Sequence, residues 1–233
     1  MFDDVETVVD LSNPIESDIP TYPNFPNVRV ETTDYAARDG FTMERVEMQS
    51  HTATHVDAPR HFIPEGKTLD EFPIETFMGE GIALDLTPLE PAEPIEPEHI
   101  EPYTDEIEPG DVVMLHTGWD DHYGWTGEYV MRYPFLSGEG AEYLAELEPK
   151  AVGIDTPSVA GWVDEVPAQG PVTDIGPDES HLPLLENDII PVEELRNLDR
   201  VLQGADSRRA YFFYPPLRMQ GVGGCSARAF ALL

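Results

Sequence analysis

A chain of 233 residues is long enough to bury one sizeable core, or two small ones, without help from a partner. Its 46 Asp and Glu against 13 Lys and Arg leave a formal charge of −33, so the surface repels nucleic-acid phosphates and anionic lipid. One cysteine, Cys225, excludes an intramolecular disulfide and a multi-cysteine zinc site, leaving His, Asp and Glu to hold any metal.

Only two of the basic residues are lysines, Lys67 and Lys150. So strong a field opposes a compact fold in dilute salt and is tolerated at molar salt, where the Debye length shrinks to roughly 3 Å. The composition therefore predicts halophilic adaptation. Apolar residues make up 40 % of the chain and recur in strand-like runs, which argues against disorder. The acidic start of the chain, residues 1–6, and the lack of an 18-residue apolar run predict a cytoplasmic protein.

In chain order, β-rich runs bounded by turn residues predict strands over 7–11, 28–33, 43–49, 81–86 and 111–117. Residues 88–109 place Pro and Glu at nearly alternate positions and read as a solvated acidic connection, which Ile95, Ile100 and Ile107 could pin to the surface. Ser137 is a good N-cap for a helix over 137–148, which carries Ala141, Leu144, Ala145 and Leu147 on one face before Pro149 stops it. A strand follows over 151–154, then a helical turn near His181 with Leu184 and Leu185, and a last strand over 210–214. The helix-then-strand order predicts a mixed sheet with a crossover, an α/β fold in a single domain spanning 1–233.

Three of the seven histidines fall within residues 51–61, as His51, His55 and His61, with Asp57 among them. In a straight strand His51 and His55 would lie about 13 Å apart, near the limit for sharing one ion, so the segment should bend where the residues are small, at 52–54. Imidazole and carboxylate together suit Zn²⁺, Mn²⁺ or Fe²⁺, and the two oxygens of Asp57 can bridge two ions. The segment does not close a site by itself. Of the other histidines, His99 lies in the acidic connection, His116 in an apolar run that suits a hydrogen-bonded strand histidine, and His122 in an acidic loop. His181, followed by Glu193 after the Ile189-Ile190 run, is one way among these to complete the ligand set.

Residues 51–61 resemble the His-x-Gly-Thr-His-x-Asp-x-Pro-x-His motif of the metal-dependent cyclase family, whose members include kynurenine formamidases and isatin hydrolases. Weaker similarities follow in the family's order: Val9 to Ser12, Tyr22-Pro23, Thr117-Gly118-Trp119, Val152 to Ser158, His181 with Leu184-Leu185, Glu193 with Leu195, and Arg228 to Phe230. The resemblance implies a mixed-sheet β/β/α, swivelling-domain-like fold and two divalent ions, Zn²⁺ or Mn²⁺. His51, His55 and Asp57 would bind one ion, and Asp57, His181 and Glu193 the other. It also implies that His61 is the general acid/base, since an imidazole with an ordinary pKa near 6.5 suits that work. The implied reaction is attack of activated water on a small-molecule amide, with N-formylkynurenine, giving kynurenine and formate, as the leading substrate. A cyclic amide or imide is the alternative, and a non-catalytic metal binder or scaffold a remoter one. Tyr22, Phe25, Trp119 and Trp162 are the aromatic candidates for an aryl pocket, of which one or two should line it. A homodimer or larger assembly is implied, with the loop from Tyr22 to Phe25 reaching a neighbour's site. Ala53 departs from the motif's Gly, a mild change if its φ is negative and a costly one if it is not. Ser158 reads as a turn residue and Cys225 as a small buried one.

Overall fold

The structure is a computed structural model that describes residues 7–23, 25–162, 165–166, 170–171 and 176–233. The acidic segment 1–6 lies outside the described residues.

A strand whose side chains are apolar at every position has both faces to bury, and such strands belong in the middle of a sheet covered on both sides. In chain order the strands are β1 (Val8–Asp10), β2 (Arg29–Asp34), β3 (Met43–Glu47), β4 (His55–Asp57), β5 (Met78–Asp85), β6 (Pro94–Ile95), β7 (Val112–His116), β8 (Phe135–Leu136), β9 (Ala151–Ile154), β10 (Glu165–Val166), β11 (Gly170–Pro171), β12 (Ile190–Glu193), β13 (Ser207–Phe213), β14 (Gly224–Ser226) and β15 (Phe230–Leu232). Nine of them form one mixed sheet in the order β1-β15-β13-β5-β7-β9-β12-β4-β14. Its centre, β5-β7-β9-β12, is parallel, and every residue of β7, β9 and β12 is buried. Antiparallel strands complete both sides, and β4 lies between β12 and β14.

The helices are α1 (Ala36–Asp39), α2 (Pro97–Ile100), α3 (Gly127–Met131), α4 (Gly138–Glu146), α5 (Pro177–Leu185) and α6 (Leu198–Leu202). Alternate side chains of the central strands feed two cores. On one face Val112, Met114, Val192 and Phe212 pack with Leu198, Val201 and Leu202 of α6. On the other, Val113, Leu115, Val152 and Ile154 pack with Ala141 and Leu144 of α4 and Leu184 of α5. Ser137 caps α4 as its sequence predicts, its Oγ accepting from Gly140 N–H at 2.9 Å. Cys225 is buried in β14, opposite Val56.

Two sequence expectations change. The predicted strand over 210–214 is the later part of β13, which pairs along its whole length with β5. The segment 88–109 is no solvated connection: it forms β6, α2 and a 3-10 turn (Glu101–Glu106), and Ile95, Ile100 and Ile107 join the second core. The prolines and glutamates keep its outer side polar, while the three isoleucines supply the buried side. Ile100→Ala should therefore lower the unfolding free energy by about 2–5 kcal/mol in a denaturant titration. A change within about 0.5 kcal/mol would match a solvated segment instead.

Candidate metal centre

The bend expected at 52–54 is made by Ala53, whose φ of +51° is left-handed. An L-residue there costs about 1–2 kcal/mol relative to glycine, so the departure from the motif is the costly case. Thr52 Oγ donates to Gln49 O at 2.8 Å and steadies the approach. β4 then sets His55 opposite Glu193 of β12 and Asp57 opposite Gly224 of β14. Gly224 is required by contact: a Cβ built there would lie 2.1 Å from His51 Cε1, so the His51 ring occupies the space a side chain would need. The 3-10 turn Pro59–His61 returns His61 to stack on His51, ring centres 4.0 Å apart. α5 supplies His181, which stacks on Phe62 at 4.3 Å.

The six predicted residues meet in one place. His51 Nδ1 lies 2.7 Å and His55 Nε2 3.6 Å from Asp57 Oδ1, while His181 Nε2 lies 3.6 Å from Asp57 Oδ2. Glu193 spans the two imidazoles, Oε2 at 3.1 Å from His55 Nε2 and Oε1 at 3.3 Å from His181 Nε2. Yet His51 Nδ1, both Asp57 oxygens and His181 Nε2 are buried without a hydrogen-bond partner. Donor atoms that converge without bonding one another are what an ion between them would satisfy. Two groupings lie within reach of a shared ion, His51-Asp57-His61 and His55-Asp57-Glu193, with Asp57 in both.

The backbone sets the imidazoles for that use. His55 Nδ1 lies 2.8 Å from Ala53 O and His181 Nδ1 2.7 Å from Pro177 O. A carbonyl only accepts, so Nδ1 carries the proton in both rings and Nε2 faces the cluster, the arrangement that second-shell partners impose on metal-binding histidines. Ser158 Oγ and Val159 N–H both donate to Glu193 Oε1, at 2.9 and 2.7 Å, and fix that carboxylate. Ser158 thus holds Glu193 from within the turn that the sequence assigned it. Three imidazoles and two carboxylates in a buried recess suit a divalent ion such as Zn²⁺ or Mn²⁺.

The electrostatics agree. Burial pulls the His55 and His181 imidazoles down, but the Glu193 and Asp57 carboxylates outweigh it and raise them to about 9 and about 10. Burial and the Asp57 charge push Glu193 up, and the same two imidazoles pull it down to about 2. His61 stands at the exposed rim; desolvation of its inner side, with the neighbouring imidazoles, lowers it.

A cavity of about 230 Å³ opens onto the cluster, lined by Tyr22, Phe25, His61, Phe62, Val130 and Ala160 among others. That is below the roughly 300–1,000 Å³ of drug-sized sites and suits a compact substrate. Two of the four aromatic candidates, Tyr22 and Phe25, line it. Trp162 does not: it is 4 % exposed and backs Tyr22, ring centres 4.9 Å apart. Trp119 does not either, because it belongs to an aromatic core with Tyr129, Tyr133 and Phe135 and donates Nε1–H to Tyr129 O. Sequence reasoning missed Glu194 and Tyr129, which line the cavity; alternation along a strand turns Glu194 away from Glu193, and no local pattern marks either residue.

The remaining histidines lie apart from this recess. His116, Asp120 and Asp155 also gather, but Asp155 accepts from the N–H groups of Thr117 and Gly118 and from Thr117 Oγ, and His116 Nδ1 lies 3.2 Å from Asp85. Asp155 is thereby tied into the turn after β7, and Asp120 Oδ2 accepts from Asn197 N–H at 2.8 Å. His122 stacks on Trp119, and His99 caps α2.

Raised imidazole pKa values have a measurable consequence. At pH 7.5 metal-free His55 and His181 are below their folded-state values and hold protons that a metal ligand must shed. Metal addition should release one to two protons per chain, seen as buffer-dependent heat in calorimetry. The imidazoles also stabilise the metal-free fold most below about pH 6.5, a contribution lost as pH rises through about 9 to 10. Release of no protons would mean that neither ring meets the ion.

Comparison with known proteins places this geometry. The sequence model of the Cyclase family matches residues 9–160, from β1 through residues 51–61 to the turn that holds Glu193. A kynurenine formamidase of Bacillus cereus is 28 % identical over 152 residues, 65 % of this chain and 69 % of that one. Among solved structures, a predicted metal-dependent hydrolase from Bacillus stearothermophilus is 26 % identical with a TM-score of 0.74, covering 97 % of this chain and 98 % of that one. Isatin hydrolase A from Labrenzia aggregata, at 24 % identity, shares the fold, with a TM-score of 0.79 over 97 % of this chain and 93 % of that one. The chain belongs to the cyclase family.

Proposed function

We propose that this chain is a metal-dependent amide hydrolase, with N-formylkynurenine, cleaved to kynurenine and formate, as its leading substrate. The observation that carries the reading is the cluster of buried, unbonded donor atoms of His51, Asp57 and His181 at the floor of an open cavity. His51, His55, Asp57, His181 and Glu193 would hold two divalent ions, Zn²⁺ or Mn²⁺, shared through Asp57. Bound there, the ions supply Lewis acidity toward the amide carbonyl and activate a water. His61, at the rim and within reach of the cluster, takes a proton from the attacking water and returns it to the departing nitrogen. Tyr22, Phe25 and Phe62 flank the recess with apolar surface suited to an aryl group and exclude bulk water around it.

A purely structural metal would be closed off by its ligands; this recess opens to a cavity, which favours catalysis over storage. The small volume of that cavity also admits a cyclic amide or imide, the second reading. The hairpin β2–β3 leaves Val30, Tyr35, Phe41, Met43 and Val46 exposed, and supports a homodimer or larger assembly formed through that arm. No helix among the described residues is long and apolar enough to cross a membrane; we place the protein in the cytoplasm, adapted to high salt by its charge.

Metal-loaded protein in molar KCl, assayed against N-formylkynurenine and a small panel of cyclic amides and imides, should hydrolyse the formamide fastest. His61→Ala should lower turnover at least about 100-fold, in the range of a lost general acid/base, while retaining metal. Hydrolysis of none of the panel, or an unaffected His61→Ala, would overturn the reading.

A further inference from the structure

Among the described residues, the carboxyl group of Glu194 is the one acidic group lining the cavity that the metal site does not use. In a regular strand successive side chains point to opposite faces, so Glu193 and Glu194 should diverge. They do not, because Glu194 adopts a left-handed φ of +56° at the end of β12 and both side chains line the cavity. That backbone is held on all sides. Thr54 Oγ and Asn13 Nδ2 donate to Glu194 O at 2.6 and 2.8 Å, and Glu194 N–H donates to Thr156 O at 2.8 Å. A non-glycine residue kept in that region costs of order 1–3 kcal/mol, and such strain collects at functional sites.

Glu194 is 7 % exposed, and its Oε1 accepts a hydrogen bond from Tyr129 Oη at 2.9 Å. No lysine or arginine lines the cavity among the described residues, and residues 163–175 contain none in sequence. A buried carboxylate with no lysine or arginine beside it, and with His55 committed to the metal site, gains from a cation that another molecule supplies. Thr21 Oγ, also in the lining, is buried without a hydrogen-bond partner. The wall away from the metal ligands thus carries a carboxylate and an unpartnered hydroxyl but, among the described residues, no lysine or arginine.

We infer that Glu194 selects the substrate, receiving a cationic amine carried by the non-reacting part of the amide, so that the preferred substrates are amines and not simple carboxylic acids. The inference rests on the amide-hydrolase reading of the same site and adds its substrate class. Glu194 touches substrate and leaves the reacting carbonyl to the metal ligands and His61, so its effect falls on KM.

Three N-formylanilines that differ only in a ring substituent, ethyl, aminoethyl or carboxyethyl, test this with the metal-loaded full chain. The native protein should prefer aminoethyl over ethyl at least tenfold in kcat/KM, mainly through KM, with carboxyethyl poorest. Glu194→Gln should bring the aminoethyl-to-ethyl ratio to within twofold of one while keeping its metal content. Tyr129→Phe, which removes the hydrogen bond but keeps the carboxylate, should preserve the ratio. The inference is overturned if native protein shows no preference for the amine, if Glu194→Gln keeps the preference, or if that variant loses metal. Hydrolysis of none of the three overturns the amide-hydrolase reading instead. Calorimetric binding of the same three compounds then decides Glu194, the same order supporting it and an equal affinity overturning it.

Discussion

Asp57 has no exposed surface and Glu193 only 4 % of its own, and the architecture around them answers the cost of burying those two carboxylates together. Each buried ion costs several kcal/mol unless opposite charge and hydrogen bonds offset it. Pairing β4 antiparallel to β12 brings His55 against Glu193. The left-handed Ala53, the absent side chain at Gly224, the turn ending at His61 and the docking of α5 deliver the remaining imidazoles to the same volume. The turn after β9 then ties Glu193 through Ser158 and Val159. Removing any one of these leaves a buried carboxylate without its compensating partner. The site and the fold therefore constrain each other, and the strained backbone at Ala53 and Glu194 lies at the recess itself.

Most of this centre was legible because its densest part is local in sequence. Residues 51–61 put three imidazoles and a carboxylate on a short bent segment, and few structural roles need that density. His181 and Glu193 were another matter. Nothing in their neighbourhoods distinguishes a ligand from an ordinary buried histidine on a helix or an acid at a strand end, and only resemblance to the cyclase family singled them out. The contact that brings them in, parallel pairing of β9 with β12 followed by antiparallel pairing with β4, is non-local and leaves no mark in the residues themselves.

The misreadings have similar causes. β14 and β15 are three residues each and carry Gly, Cys, Ser and Ala, too short and too mixed for periodicity to register. The segment 88–109 was misjudged because three isoleucines, widely spaced among prolines and glutamates, suffice to bury one side of a short helix pair. Trp119 looked like a ligand-facing aromatic, yet the αL turn at Gly118 and the bond from its Nε1 to Tyr129 O turn it into the core that walls the cavity. Glu194 escaped notice because alternation along a strand predicts that it faces away from Glu193, and only its positive φ reverses that.

A metal-dependent hydrolase of the cyclase family needs its ions held by the recess and not by the second histidine-carboxylate gathering at His116, Asp120 and Asp155. Anomalous diffraction from crystals of this chain soaked with Mn²⁺ or Zn²⁺ separates the two. The account predicts density within about 2.0–2.3 Å of an Asp57 oxygen and of imidazole nitrogens from His51, His55 or His181, the range of such metal bonds. Anomalous density beside Asp155, or none near Asp57 at saturating metal, would contradict it.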